Sequence, residues 1–464
     1  MLRTVPGLGL VLDLLLSLLG ACAPVPERAG IHPDPDQPRY WRYDERTVLL
    51  VGGSSEDNLF QNEAVEAELD RLVSAGGNYV RNTMSARDAG NIRPFVRLPN
   101  GRYDLQQLDE RYFKRFERLL TLAAERNVIV QVELWDRFDF AQDPWASNPY
   151  RPANNVNLSR ETSGLDDAYP RHPGRNDNPF FRSVPALDSN GVLLSHQQRQ
   201  VDRLLDISLG FPNVLYTIDN ETSAGAEWSA YWAEHIRSRA EARGVSALTT
   251  EMWGTRNIEA PQHRRTFDEP ERYAFIDISQ NNHTAGDTHW ERIQWVRAYT
   301  ASRPRPINNV KIYGADSGRY GTTDEGIARF WRNIVGGAAA VRFHRPPGGL
   351  GLSERARAHI RSARLFAQAF DIAGAQPDAK HALLLDRQPA EAYAAFIPSR
   401  AYAVYFPGAG EVRLDLSGVS GTFDLGWLDA GSGRIESRGR VAGGRAVRLA
   451  PPGNGHWIAV LERP

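Results

Sequence analysis

From about residue 47 to residue 375 the chain alternates between short apolar runs and amphipathic stretches, and this alternation limits the folds open to it. One run, "NVLYTIDNETS" at residues 213–223, is β-branched, aromatic and nearly unbroken until it ends on Asn220 and Glu221. Such a run suits a strand that is covered on both faces, as in a parallel sheet wrapped by helices. A polar pair at its carboxyl end would lie at the mouth of an α/β barrel or open sheet, where these folds place their chemistry.

Eight strand candidates share this character, and amphipathic helical stretches separate most of them. They are Val48–Gly52, Asn78–Thr83, Val128–Trp135, Val214–Ile218, Ala247–Trp253, Phe275–Ser279, Pro306–Tyr313 and Ala338–Phe343. Ser195 and Asp324 are placed as helix N-caps, whereas "RNIEAPQHRRTFDEPERY" after the fifth strand is a poor helix former. Eight strand-then-helix units predict an α/β fold, a (β/α)₈ TIM barrel over residues 40–375.

Two further segments differ in composition and sequence pattern from the predicted barrel. Between the third strand and its helix lie some sixty residues, Arg137–Leu194, rich in Asn, Pro, Arg and aromatics. Since connections this long inside a compact domain are usually functional, we interpret this one as a lid or a wall above the barrel mouth. Residues 376–464 show short alternating strands between Gly, Pro and Asp turns, which predicts an appended β-sandwich.

The N-terminus has the plan of a bacterial export signal. An early Arg, a short apolar stretch and small residues precede Cys22, and the residues from Leu19 to Cys22 resemble the lipobox of lipoproteins. Cys22 is the only cysteine in the chain. We therefore predict a signal peptide at residues 1–21, lipidation of Cys22, a Pro-rich tether at residues 22–39, and a lipoprotein held at the periplasmic face of the envelope or at the cell surface.

The charge balance restricts the partners. Lys plus Arg number 55 and Asp plus Glu number 56, and no long basic run occurs. A nucleic-acid partner and direct binding to an anionic membrane are therefore not indicated, and a neutral partner such as a carbohydrate fits better. Neither a phosphate-binding loop nor a zincin motif is present, and His283, His289 and Asp287 match no zinc spacing, so we expect no metal and no cofactor.

The strand-four motif "FPNVLYTIDNE" resembles that of clan A glycoside hydrolases, the retaining barrel enzymes in which an Asn-Glu pair ends this strand. The C-terminal module resembles the collagen-binding-type β-sandwich that follows cellulase-like and apiosidase-like barrels. The resemblance implies that Glu221 is the general acid/base and that Asn220 binds the sugar 2-hydroxyl. Residues near other strand ends stand where such enzymes contact sugars, namely Arg81, Trp135, Asp136, Asn281 and His283. Further candidates for substrate binding are Trp253, Lys311, Tyr313, Asp316 and His344.

Glycoside cleavage needs one carboxylic acid to protonate the leaving oxygen and a second carboxylate to attack or to activate water. As the acid, Glu221 would need a pKa raised by burial or by a neighbouring carboxylate. The competing interpretation is that Asn220 and Glu221 only cap the helix that begins near Ser223.

The second carboxylate departs from the clan A pattern. There a Glu ends strand seven, but this chain reads "PINNVKIYGADSG", which places Lys311 near that position and Asp316 in the loop beyond. We favour Glu251, at the end of strand five, over Asp316, because a strand end is held more rigidly than a Gly-flanked loop. Glu251 can instead form a structural ion pair, for example with Lys311.

Together these patterns predict an exported glycoside hydrolase. The alternative is a barrel that has lost activity and binds carbohydrate or adheres as a surface lipoprotein. A second carboxylate facing Glu221 across a cleft, within about 10 Å, favours the enzyme. A Glu221 opposed only by Lys311 and Arg81 favours binding.

Overall fold

The computed structural model describes Met1 and residues 30–175, 178–316 and 318–464. Eight parallel strands form a nearly closed barrel in the sheet order β5-β4-β3-β2-β1-β8-β7-β6. They are β1 (Leu50–Gly53), β2 (Tyr79–Thr83), β3 (Ile129–Asp136), β4 (Val214–Asn220), β5 (Thr249–Thr250), β6 (Ile276–Asp277), β7 (Ile307–Ile312) and β8 (Ala340–Phe343). The predicted TIM barrel is confirmed, and each strand lies inside its expected range or extends at most two residues beyond it.

A helix follows each strand and covers the outside of the barrel. The eight are α1 (Val65–Ser74), α2 (Glu110–Glu125), α3 (Gly191–Ser208), α4 (Ala226–Glu241), α5 (Pro261–Asp268), α6 (Gly286–Tyr299), α7 (Thr323–Val335) and α8 (Glu354–Ala369). None of the helices within the described ranges is long and apolar enough to cross a membrane. Every residue of the eight strands is buried, because the strands pack against one another inside the barrel and against helices outside.

Three local predictions about helices were wrong. The segment after β5 does form a helix, α5, with Pro261 in the first turn, where a missing N–H leaves no bond unmade. Asn190 rather than Ser195 caps α3, because its side chain accepts from the Leu193 N–H at 3.0 Å. Thr322 rather than Asp324 caps α7.

A small antiparallel sheet covers the amino-terminal end of the barrel. Its strands are His32–Pro33, Trp41–Tyr43 and Arg46–Val48. The Trp41 indole donates to Asn308 Oδ1 near the start of β7 at 2.9 Å, and the Ile31 N–H donates to the Pro212 carbonyl at 2.8 Å. Residues 30–39 are therefore not part of a tether, because they pack under the barrel. Cys22 and the predicted signal peptide, apart from Met1, lie outside the described residues.

The long connection between β3 and α3 folds into short helical turns around an aromatic cluster. It includes the helices Gln142–Ala146 and Arg160–Ser163. Phe140 and Phe180 lie 3.9 Å apart between ring centroids, and Phe180 also packs against Trp135 of β3 and Trp228 of α4. The connection is thus a packed wall whose aromatic cluster continues the core of the barrel. A hairpin, Phe95–Arg97 with Tyr103–Leu108, lies between β2 and α2.

Two antiparallel sheets form the predicted C-terminal sandwich. Their strands are β9 (Gln376–Pro377), β10 (Leu384–Leu385), β11 (Tyr393–Ile397), β12 (Ala401–Phe406), β13 (Val412–Asp415), β14 (Thr422–Asp429), β15 (Ile435–Ala442), β16 (Ala446–Leu449) and β17 (Trp457–Glu462). The six-stranded sheet has the order β9-β11-β12-β17-β14-β15, and the three-stranded sheet has the order β10-β13-β16. The sandwich docks on the barrel through polar and aromatic contacts. Asp287 of α6 pairs with Arg387 and accepts from the Tyr393 hydroxyl at 3.1 Å.

Candidate active site

Glu221 lies just beyond the carboxyl end of β4, at the face of the barrel where all eight strands end. Its φ of +57° is in the left-handed region, which a residue with a side chain adopts only when its surroundings enforce it. The next residue, Thr222, donates its N–H to the Met252 carbonyl at 2.8 Å, which fixes this turn. Gly225 is the N-cap of α4, without a side-chain bond, so Asn220 and Glu221 are not helix caps.

Glu221 belongs to a chain of polar contacts that crosses the barrel mouth. Lys311 on β7 donates to Glu221 Oε1 at 2.6 Å and to Asn220 Oδ1 at 2.5 Å. Asn220 in turn donates to Asp136 Oδ1 at 2.9 Å, and the Tyr313 hydroxyl lies 3.4 Å from Glu221 Oε1. The strand-end residues therefore meet, as the parallel sheet predicts, but the partner of Glu221 is a cation.

The charge state of Glu221 differs from the one its expected role requires. Burial raises the pKa of this carboxyl, but the charge and hydrogen bond of Lys311, helped by Gln280 and His283, lower it to about 2. The expectation of a raised pKa is thus wrong for the protein without a bound sugar. Glu221 is a carboxylate there at any pH near neutrality.

Two cavities meet at Glu221 and together form what we call the groove. The first encloses about 450 Å³ and the second about 510 Å³, and Glu221 and Phe138 line both. Phe138 comes from the wall between β3 and α3, and so do His172, Pro173 and Gly174 of the second cavity. Of the predicted site residues, those that line the groove are Asn220, Glu221, Trp253, Lys311, Tyr313 and His344.

Asp57 supplies a second carboxylate to the first cavity. It was not among the predicted site residues, because it lies in a loop and not at a strand end. It follows β1 by four residues and is 6% exposed. Arg81 contacts its Oδ1 at 2.6 Å, Arg345 contacts its Oδ2 at 2.8 Å, and His344 lies 3.6 Å away. Burial raises the pKa of Asp57, but Arg81, His344 and two further arginines lower it well below the usual range, so this carboxyl is ionised too.

Arg81 does not contact the groove, contrary to the prediction. Its side chain is fully buried inside the barrel, where it donates to both oxygens of Glu133 at 2.7 and 2.6 Å and pairs with Asp57. Its role is to hold Asp57 in place. Asp136 is likewise buried and bonds Asn220 and Arg87, and Trp135 is 2% exposed among aromatic rings, so neither reaches a sugar directly.

Glu251 is not the second carboxylate of the groove. Its side chain is fully buried and points outward to α4, where Oε2 contacts the Ser229 hydroxyl and Oε1 accepts from the Asp219 and Met252 N–H groups. Burial raises the pKa of Glu251 well above its usual range, and the neighbouring Asp219 raises it further. The prediction that Glu251 is the second carboxylate is therefore wrong. The alternative of an ion pair with Lys311 is wrong too, because Lys311 pairs with Glu221.

The remaining candidates lie outside the groove. Asp316 is exposed and accepts from the Thr323 N–H at the start of α7 at 2.8 Å. Asn281 is buried and donates to the His289 carbonyl, and His283 stacks behind Tyr313 with ring centroids 4.8 Å apart. Throughout the part of the chain that the structure describes, no group of His, Cys, Asp and Glu side chains is arranged to hold a metal ion.

Comparison with known proteins gives matches of structure only. No protein-family model and no curated protein matches the sequence. A glycoside hydrolase family 5 protein from Bacteroides vulgatus superimposes with a TM-score of 0.63 at 12% identity, covering 93% of each chain. A structure described as a glycoside hydrolase gives a TM-score of 0.61 at 11% identity, covering 94% of this chain and 97% of that one.

These likenesses span the barrel and the sandwich together. At 11% and 12% identity they establish the architecture and leave the reaction open. The resemblance to clan A barrels is therefore confirmed at the level of the fold, which this chain shares with glycoside hydrolase family 5 structures.

Proposed function

We propose that the protein is a glycoside hydrolase that cleaves glycosidic bonds of an oligo- or polysaccharide outside the cytoplasm. The observation that carries the proposal is the position of Glu221 at the boundary of two cavities. A sugar chain lying in the groove would place a linkage over this carboxylate with sugar units on both sides. The export signal read from the N-terminus supports the location.

In this proposal Glu221 and Asp57 are the two carboxylates of the reaction. Both line the first cavity, and they come from different strand ends, β4 and the loop after β1. Glu221 protonates the leaving oxygen, and Asp57 acts as the second carboxylate on the other side of the linkage. Asn220, as the clan A resemblance implies, binds the sugar 2-hydroxyl beside Glu221.

Proton delivery by Glu221 requires that its contact with Lys311 be exchanged in the sugar complex. Asn220 Oδ1 already accepts from the ammonium at 2.5 Å, so Lys311 keeps a partner when a sugar separates it from Glu221. Burial is the largest influence on the pKa of Glu221 and acts upward. Moving the ammonium away therefore raises this pKa toward the range of a general acid.

The contact between Lys311 and Glu221 also supports a second candidate, a barrel that binds carbohydrate without cleaving it. An ammonium 2.6 Å from Glu221 holds this carboxyl in its ionised form, which has no proton to give to a leaving oxygen. If this pair persists with a sugar bound, the groove is a binding site only.

One experiment separates the two candidates. The purified protein is incubated with a panel of aryl glycosides and plant and bacterial polysaccharides, and release of aglycone and of reducing ends is measured. Glu221→Gln should lower the rate on a natural substrate about 10²- to 10⁴-fold and much less on activated aryl glycosides, whose leaving groups need little protonation. Asp316→Asn, a change of an exposed carboxylate outside the groove, is the matched control.

Each outcome of that assay has a clear meaning. Hydrolysis by the wild type that Glu221→Gln abolishes and Asp316→Asn preserves supports the proposal. Equal activity of Glu221→Gln and wild type on the natural substrate would remove Glu221 from the chemistry. Binding of a polysaccharide, measured by affinity electrophoresis, without any hydrolysis would establish the second candidate.

A further inference from the structure

Cationic side chains outnumber carboxylates in the groove. Two carboxylates line it, those of Asp57 and Glu221, against five cations, those of Arg87, Arg265, Lys311, Arg319 and Arg345. The whole chain has a formal net charge of −1. The excess of positive charge is thus a local property of this surface, which the overall composition does not show.

Most of these cations are already compensated. Lys311 pairs with Glu221 and Arg345 pairs with Asp57. Arg87 contacts two carboxylates behind the groove, those of Asp136 and Asp139. These three side chains stabilise the site and leave little net charge for a ligand.

Arg319 and Arg265 are different, because neither has an ion pair among the described residues. Arg319 lines the first cavity, where it donates to the Tyr320 hydroxyl at 2.5 Å and its guanidinium lies 4.8 Å from the ring centre of Tyr320. Arg265 lines the second cavity, with its guanidinium 5.8 Å from the ring centre of Trp253. Each is held against an aromatic ring, which restricts its orientation and leaves charged N–H groups for a ligand.

The two arginines line different cavities, and Glu221 lies where these cavities meet. Arg345 adds donors in the first cavity, because its two terminal nitrogens have no hydrogen bond to any residue in the described ranges. Beyond Arg345 a third cavity is lined by three carboxylates, those of Glu56, Glu63 and Asp88, against two arginines, Arg115 and Arg345, so the excess of positive charge ends there. The charge pattern therefore matches negative groups on the sugar units that flank the reacting linkage.

We propose that the groove selects an acidic glycan, with a carboxylate or sulfate on a sugar unit in each cavity bound by Arg319 and Arg265. This inference rests on the proposed function and specifies its substrate class. The planar guanidinium donates two parallel hydrogen bonds to a carboxylate or sulfate, which makes arginine the side chain suited to these groups. It revises the expectation of a neutral carbohydrate that the balanced composition suggested.

The test compares the binding and the cleavage of acidic and neutral glycans by the protein that lacks only the predicted signal peptide, residues 1–21. The acidic panel contains polygalacturonate, alginate and glucuronoxylan for carboxylates and a sulfated galactan for sulfate, and the neutral panel contains cellulose oligosaccharides, mannan and unsulfated galactan. Binding is measured by calorimetry with Glu221→Gln, or with the wild type at low temperature if that variant does not fold. Hydrolysis is measured with the wild type.

We expect a member of the acidic panel to bind and to be cleaved, with weaker binding at higher salt. Arg319→Gln and Arg265→Gln should each weaken that binding about tenfold, since each removes a charge-assisted contact. Arg361→Gln, a change of an exposed arginine on α8 outside the groove, should leave it unaltered. Which acidic glycan responds distinguishes carboxylate from sulfate.

Two results would overturn the inference in different ways. Cleavage of a neutral glycan with no binding of any acidic one contradicts the substrate class and leaves the hydrolase proposal standing. Absence of cleavage across both panels contradicts the hydrolase proposal itself. Acidic binding that the two groove variants do not weaken would assign recognition to other residues.

Discussion

The ammonium of Lys311 lies 2.6 Å from the carboxylate of Glu221, so the residue at the centre of the groove is ion-paired. The Lys311 side chain is 2% exposed and that of Glu221 is 21% exposed, so the pair is largely shielded from water. Removing one partner of such a pair leaves the other charge buried without compensation. The protonation state of Glu221 therefore depends on a strand-seven lysine, where clan A enzymes have a carboxylate.

Substitution of this lysine should change the titration of Glu221. In Lys311→Met the pKa of Glu221 should rise from about 2 toward its ordinary value of 4.5, because burial is then opposed only by the smaller effects of Gln280 and His283. Carbon-detected NMR of labelled glutamate carboxyls would measure the shift. Any hydrolytic activity should show its acidic limb at correspondingly higher pH.

The same substitution has a consequence for stability with a defined sign. A pKa that is lower in the folded protein means that ionised Glu221 stabilises the fold above pH 4.5, and that this contribution is lost as the pH falls toward 2. Urea unfolding at pH 7 and pH 3 should therefore show a smaller acid-induced loss for Lys311→Met than for wild type. Lys380→Met, at an exposed position, is the control. An unchanged Glu221 pKa in Lys311→Met would show that Lys311 is not its cause.

A second prediction concerns Arg81, which joins two buried carboxylates. It donates hydrogen bonds to Glu133 through two nitrogens, and its third nitrogen forms an ion pair with Asp57. Arg81→Met should lower the free energy of unfolding by about 3–5 kcal/mol, since Glu133 then loses its ion pair and Asp57 loses one of several. Urea denaturation at pH 7 measures this loss.

A double variant makes the Arg81 prediction specific. Adding Glu133→Gln to Arg81→Met removes the buried charge that the first change leaves unpaired, and should restore part of the stability. Asp57 keeps Arg345 as a partner in both proteins. Full stability of the single variant, or no recovery in the double one, would contradict a charge-pairing role for Arg81.

The sequence predicted the barrel and the residues that follow strand direction. Asn220, Glu221 and Lys311 meet because parallel strands end at one face, which their positions in the chain already indicate. The prediction that Glu251 faces the groove was wrong because side chains along a strand alternate between the two faces of a sheet. A shift of one residue sends its carboxylate outward to Ser229 of α4, and the two-residue strand β5 gives no pattern from which to read the phase.

The charge pattern of the groove could not be read from the sequence. Asp57 lies in a loop after β1, and its place in the groove is set by Arg81 and Arg345 from other parts of the chain. Arg265 and Arg319 are 54 positions apart, yet the fold brings them to the two cavities that meet at Glu221. Composition reports only the sum of charges, and that sum is close to zero.

The lipid anchor remains a prediction, since Cys22 lies outside the described residues. Cys22→Ser should move the protein from the membrane fraction to the soluble extracytoplasmic fraction with an unchanged thermal unfolding midpoint, because no other cysteine exists in the chain. Fractionation and labelling with a clickable palmitate analogue test this. Continued membrane association of the variant would show that something other than Cys22 anchors the protein.

The last prediction separates the buried Glu251 from catalysis. Glu251→Gln replaces a neutral carboxyl by a neutral amide of the same shape, which can still accept from the Asp219 and Met252 N–H groups and contact Ser229. Activity should therefore persist, and added azide should change nothing. Loss of activity with rescue by azide would instead restore Glu251 as the reacting carboxylate.

Glu251→Gln should also change how stability depends on pH. Because the pKa of Glu251 is raised in the folded protein, its neutral form stabilises the fold at low pH, and this contribution declines as the pH rises above the ordinary value of 4.5. The amide does not titrate. The difference in unfolding free energy between Glu251→Gln and wild type should therefore move in favour of the variant from pH 5 to pH 8, measured by urea denaturation. A difference that is constant over this range would mean that Glu251 is ionised in the fold, with Arg137 as the neighbouring cation.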